Sequence, residues 1–357
     1  MLTFLSRRLW YGVLVLFGVV SLVFFLFTVL PGDPARMMLG QRADISSVES
    51  IQSELGLDRP LHHQYLHYLN DISPLSIHRY SAEESLIYLD RDDYTYTKLM
   101  TAGDYVFVAK QPYLRRSYQS DREVTGILGA AFPNTMLLAS VSIVFAMLAG
   151  VILGTFFALK RKVWLSRSAL VFSVLGMSLP SFFAAIIIAW VFAFLLGDLT
   201  GLPMTGSLWE VDDYGRGEYM AWQNIVLPAL TLGIRPLAIV TELTRSSLEK
   251  VMAQDYIRTA RAKGLSEFRI VTRHALKNAL NPVITAVSGW FASLMAGAVF
   301  VEYVFGWKGI GVVIVDALEY YDFPVLMGAV LLISVILVLV NIAVDIIYAW
   351  LDPRVRL

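Results

Sequence analysis

The chain has 357 residues, of which 57% are hydrophobic and 16% charged, and its 29 basic and 29 acidic side chains leave a formal net charge of zero. A mean hydropathy of +0.61 excludes an ordinary soluble domain and marks a membrane protein. With no cysteine in the sequence, disulfides, zinc–thiolate sites, iron–sulfur clusters and a cysteine nucleophile are excluded, and nothing in the charge pattern points to nucleic acid.

Arg7 and Arg8 precede an apolar run from Leu9 to Leu30. That run is too long for a signal-peptide core, and Pro31-Gly-Asp-Pro34 follows where a small-x-small cleavage site would be needed, so an uncleaved first membrane helix is expected. Residues 31–133 are polar and aromatic-rich and read as a segment outside the bilayer. Within it, the alternation of Gly103-Asp-Tyr-Val-Phe-Val-Ala109 predicts a strand, in an added lobe at residues 73–111 that includes Asp90-Arg-Asp-Asp-Tyr-Thr-Tyr96. Further runs near the roughly 20 residues needed to span a hydrocarbon core lie at 134–159, 168–196, 224–246, 278–301 and 325–350. The expected fold is an all-α polytopic membrane protein of six transmembrane helices, with a long extracytoplasmic segment between the first two. Its parts are residues 1–30, 31–133 and a five-helix core at 134–357 with a basic loop at 247–277. Pro180 and Pro282 are expected to bend their spans, and Gly150 with Gly154 to allow close helix approach.

Charge sets the orientation. Lys160, Arg161, Lys162 and Arg167 lie in one inter-span loop, and Arg258, Arg261, Lys263, Arg269, Arg273 and Lys277 in another, while Arg7, Arg8, Arg354 and Arg356 flank the ends. The opposite loops carry Asp198, Glu210, Asp212, Asp213 and Glu218, then Glu302, Asp316, Glu319 and Asp322. The positive-inside rule makes the basic loops and both termini cytoplasmic.

The basic loop contains Ala253-Gln-Asp-Tyr-Ile-Arg-Thr-Ala-Arg-Ala-Lys-Gly-Leu265. Asp255 suits an N-cap, Tyr256, Ile257 and Ala260 share a face, and Gly264 suits the left-handed position closing a helix. Two turns, about 12 Å, are marginal alone, so this helix needs something to dock against. The segment resembles the cytoplasmic loop of ABC-importer permeases, whose pattern is Glu-Ala-Ala, three residues, then Gly. Here Arg258-Thr259-Ala260 replace the triplet, and the Asp-Tyr-x-Arg-Thr-Ala-Arg-Ala-Lys-Gly-Leu form is similar to the dipeptide/oligopeptide/nickel subgroup. Ser178-Leu-Pro-Ser-Phe182, Asn224-Ile-Val-Leu-Pro228, Arg273-His-Ala-Leu-Lys-Asn-Ala-Leu280, Val299-Phe-Val-Glu-Tyr-Val-Phe305 with Gly309-Ile-Gly311, and Leu351-Asp-Pro-Arg354 extend the resemblance in family order.

The resemblance implies a non-catalytic permease subunit in a bacterial inner membrane, forming half of a translocation path. Its implied partners are a second homologous permease, two cytoplasmic ATPase subunits, an extracytoplasmic substrate-binding protein and membrane lipid. Asp255, Tyr256, Arg258, Thr259, Ala260, Arg261, Lys263, Gly264 and Leu265 would form the ATPase-coupling element. Peptides are the implied substrate, with nickel complexes, glutathione and glycosides as alternatives. The sequence has no Gly-x4-Gly-Lys-Ser/Thr loop, so no cofactor is expected on this chain and ATP is left to its partners. His63 and His67 share a helical spacing without a metal motif, no nucleophile constellation supports an intramembrane enzyme, and no inverted repeat supports a secondary transporter. Ionisable groups inside spans mark function by default. Glu242 and Arg245 are spaced to pair with each other, and Asp345 lies near an inner boundary. Arg235 beside Pro236 is the deeper candidate, and with Ser178 and Pro180 it forms the expected lining of the path.

Overall fold

The computed structural model describes residues 2–29, 48–49, 52–53, 56–79, 87–89, 94–160, 164, 171, 174–212 and 215–351. Pro31–Pro34, Glu54, Asp90–Asp93, Arg161, Lys162, Arg167, Asp213, Arg354 and Arg356 lie outside the described residues. The chain forms two compact units, one of Met1–Gly12, Ala131–Val312 and Ile333–Leu357, the other of Val13–Ala130 and Val313–Leu332.

Helices dominate. The principal ones are α1 (Leu2–Val29), α2 (Leu61–Ile72), α3 (Val124–Leu159), α4 (Ser181–Ile188), α5 (Val226–Met252), α6 (Asp255–Ala262), α7 (Asn281–Gly297), α8 (Val299–Phe305), α9 (Ile310–Glu319) and α10 (Phe323–Leu351). Among the described residues four stretches are long and apolar enough to cross a membrane: Ser6–Phe27, Val124–Leu159, Trp222–Met252 and Phe323–Ile346. A fifth is counted if Asn281–Met295 and Val299–Phe305, bent by 59°, make one span. The expected third span differs: part of 168–196 lies outside the described residues, and the rest breaks at Pro180, which caps α4, leaving an apolar helix only from Ser181 to Leu195. Among the described residues, four to five stretches therefore meet the length and composition of a span, and the expected third is described only in part. Pro282 does not bend α7 either. It sits in the first turn, where its missing N–H leaves no helical bond unmade, and the bend falls near Ala298 instead.

The fold is not purely helical. In the second unit β1 (Leu75–Arg79), β2 (Tyr96–Ala102) and β3 (Tyr105–Lys110) form an antiparallel sheet in the order β1-β3-β2. Gly103 takes φ +63° at the turn between β2 and β3, as a two-residue hairpin requires. Alternation puts Ser76, His78, Val106, Val108 and Lys110 on the buried face. Beneath them lies Asp71, near the end of α2 and almost wholly buried. Its carboxylate accepts from Arg115 Nε at 2.8 Å and Tyr94 Oη at 2.9 Å, and lies 3.6 Å from His67 Nε2. Its backbone carbonyl accepts from Lys110 Nζ and from the Tyr113 N–H. Burial pushes His67 down to about 4 in spite of Asp71, and Lys110 down to about 8. It also lowers His78. A second pair, β4 (Trp209–Val211) and β5 (Glu218–Met220), lies in the first unit.

The first unit is packed around α5. A Cβ on Gly150 would fall 2.6 Å from a Val240 methyl, and one on Gly154 2.5 Å from the Thr241 carbonyl. These glycines let α3 approach α5 at backbone distance. Glu302, expected in a loop, is instead fully buried in α8, where its Oε2 accepts the Gly311 N–H at 2.6 Å and caps α9. A Cβ on Gly309 would lie 2.4 Å from that same oxygen. Asp322 is also buried, at the start of α10 in the second unit, and accepts from Ser117 Oγ and the Tyr118 N–H.

Candidate functional site

The expected coupling helix is α6, and its cause is local. Ile257 and Ala260 are spaced to share a stripe and are buried. They pack on Leu248 and Met252 of α5, on Ile270, Val271 and Ala275 of the following turn, and on Ala158 and Ala279, with Leu265 half-buried beside them. The helix thus docks on its own chain. At its end Gly264 has φ +76°, the Gly264 N–H donates to Arg261 O at 2.9 Å, and the Leu265 N–H donates to Ala260 O at 3.3 Å. That pair of bonds is the Schellman closure, which satisfies carbonyls otherwise orphaned.

Two residues depart from expectation. The N-cap is Gln254, with φ −74° and ψ 153°, so Asp255 is the first helical residue and makes no side-chain cap. Its carboxylate meets Arg258 at 3.4 Å, and its backbone carbonyl accepts the Thr259 hydroxyl at 3.0 Å. An acid in the first turn still favours the helix dipole. Tyr256 is exposed rather than buried with Ile257, and its hydroxyl accepts from Asn278 Nδ2 at 2.9 Å. Arg261 pairs with Glu267 at 2.7 Å.

Asp255, Tyr256, Arg258, Thr259, Arg261, Ala262, Lys263 and Gly264 all face outward, joined by Phe268, which is 79% exposed. The result is a platform of net positive charge held from behind by apolar contacts. Phe268 was missed in the sequence, although a lone aromatic amid Glu267 and Arg269 is a detectable signal.

The expected path lining is only partly assembled. Arg235 lines a cleft with Ser181, Thr231, Trp290 and Ser293, whereas Ser178 and Pro180 are exposed and are not among its walls. Pro180 acts through its neighbour: by capping α4 it delivers Ser181 to the cleft. The hydroxyls of Thr231 and Ser293 and the indole of Trp290 were missed, because isolated polar groups in apolar helices carry no periodic signal.

The sequence profile of the family described as Binding-protein-dependent transport system inner membrane component matches residues 150–357, and that of its N-terminal component matches residues 1–82. Residues 83–149, with most of the sheet lobe, fall between the two matches. The chain is 34% identical over 356 residues to the glutathione transport system permease protein GsiC of Escherichia coli strain K12, covering 100% of this chain and 99% of the relative. It is 33% identical to GsiC of Shigella boydii serotype 4, with the same coverage. Among solved structures, an inward-facing crystal form of the MetNI methionine ABC transporter superposes with a TM-score of 0.51 at 16% identity. That match covers 64% of this chain and 97% of the other, and speaks to the fold alone.

Proposed function

The chain belongs to the family of binding-protein-dependent transport system inner membrane components, and from that premise we propose that it imports short peptides, coupling to its ATPases through residues 255–265. The protein is the permease component of an ABC importer, a multi-pass inner-membrane subunit without catalytic function whose ATP is hydrolysed by partner subunits. In our reading it assembles with a second permease, two ATPase subunits and an extracytoplasmic binding protein. The 247–277 loop and both termini face the cytoplasm, and the 73–111 lobe faces the outside. Six helices span the bilayer, the third lying within 168–196. Residues 1–30, 31–133 and 134–357 act as first helix, outer segment and permease core.

One observation carries the coupling assignment. The α6 helix spends its apolar face on its own chain, and everything else it presents is exposed and closed by Gly264. Such a surface is built to be met by a partner. Glutathione is itself a tripeptide, and similarity to permeases named for glutathione makes it the first substrate to try. The test is uptake of labelled glutathione and of labelled trialanine by cells with and without this chain. ATP-dependent uptake of at least one is expected to vanish with the chain, and indifference of both would refute the peptide assignment.

A further inference from the structure

Arg235 sits in α5 about 20 Å from the Trp222 end of its span and about 26 Å from the Met252 end, at 1.5 Å per residue. A cation at such depth is expensive unless something neutral or negative answers it. Among the described residues it has no ion-pair partner, and its Nε is buried without a hydrogen bond. The neighbouring acid on the same helix, Glu242, is about 10 Å along the axis and is already held by Arg245 at 2.7 and 3.1 Å. The cleft that Arg235 lines has a cavity volume of about 50 Å³ and opens to solvent, and its described walls contribute hydroxyls and an indole but no carboxylate. The Thr231 hydroxyl already donates its hydrogen bond to the Leu227 carbonyl at 2.8 Å. Ser181 is the first residue of α4, so the unsatisfied N–H groups of a broken helix add positive potential on the same side. The unanswered Arg235 and the start of α4 favour an anion, and the described walls supply no carboxylate of their own.

We propose that the Arg235 cleft is a transient binding station for the carboxylate of a peptide in transit. This rests on the importer reading above and deepens it, because it assigns the free carboxyl terminus, rather than a side chain, as the group recognised inside the membrane. A carboxylate and a guanidinium make a charge-assisted pair that excludes cationic and amidated ends at this depth. The site stays weak enough for transit because, among its described walls, Arg235 is the one cation and only a helix end adds to it.

The absence of cysteine permits a direct test. Ser293→Cys places a single thiol on the cleft wall of the full chain in its assembled transporter. Its reaction rates with an anionic and a cationic methanethiosulfonate of similar size give a ratio in which thiol reactivity cancels. The ratio should favour the anion, fall at least about tenfold in Arg235→Gln, and survive in Arg235→Lys, which guards against a folding artefact. N-acetyl-trialanine should slow labelling while its C-terminal amide should not. An unchanged ratio in Arg235→Gln, or equal protection by acid and amide, would overturn the proposal. Failure of the peptide reading shows itself differently, as absent uptake with the anion preference intact.

Discussion

The α6 helix and the β1–β3 lobe are both too small to be stable alone, and each is fastened within its own unit by opposite means. In α6 the buried groups are apolar, Ile257 and Ala260 against Ile270 and Val271, and every charged side chain of the helix stays in water. In the lobe the buried centre is ionic. Asp71 gathers Arg115, Tyr94, Lys110 and His67, and the charges of the region are spent on one another. The difference separates surface from scaffold: α6 keeps its charges in exposed pairs, Asp255 with Arg258 and Arg261 with Glu267, where a partner can reach them, whereas the lobe turns its own inward.

The largest expected effect comes from breaking the ionic centre. Asp71→Ala leaves Arg115 without its carboxylate and Tyr94 without its acceptor, while Lys110 keeps the backbone carbonyl of residue 71; losing the partner of a buried pair costs roughly 3–5 kcal/mol. Hydrogen exchange of the β1–β3 amides should accelerate accordingly, while α6 protection and ATPase co-purification should not change. Native protection in the variant would remove the ionic lock from the account.

Next in size is the apolar counterpart. Ile257 is fully buried, and Ile257→Ala should cost about 2–4 kcal/mol, mostly as a cavity. The cost should show as faster exchange in α6 and a new protease-sensitive site between Gln254 and Ser266, with the lobe untouched.

Acid distinguishes the two regions more gently. His67 is held at about 4 in the folded lobe against an ordinary value near 6.5. The unfolded lobe therefore binds the proton first, so stability is complete above pH 6.5, falls as pH drops towards 4, and is constant below. Linkage sets the His67 share of the loss at about 3 kcal/mol, readable as a pH slope in lobe exchange that His67→Gln reduces, the remainder coming from His78. The α6 amides should show no matching slope in their protection.

What the sequence made legible follows from how local each feature is. Gly264 was readable because a glycine placed directly after a short amphipathic run supplies the left-handed residue that closes a helix, and Ile257 with Ala260 was readable from spacing. Asp255 was misplaced because Gln254 adopts the extended cap geometry one residue earlier, and a side chain's capping tendency does not fix the boundary. Tyr256 followed the stripe by spacing, yet its ring turns outward because its hydroxyl finds Asn278, 22 residues away. Glu302 and Asp322 looked like loop acids, since carboxylates after apolar runs mark an outer boundary. Their burial depends on the Gly311 N–H and on Ser117, contacts no window along the chain contains. The Asp71 centre was invisible for the same reason.

The central claim is that the outward face of α6 carries the transporter's coupling, and Gly264 tests it most directly. A Cβ there meets nothing within 4 Å, so the effect of a substitution is confined to the backbone, where φ +76° costs a β-branched residue on the order of 1 kcal/mol or more and redirects Leu265. The measurement is substrate uptake together with ATPase co-purification for Gly264→Val, beside Ala262→Ser, a small change on the same face that leaves the helix closure intact. The account predicts normal membrane insertion for both, near-normal uptake for Ala262→Ser, and abolished uptake for Gly264→Val through a lost or uncoupled ATPase. Normal uptake by Gly264→Val with its ATPase bound would contradict it.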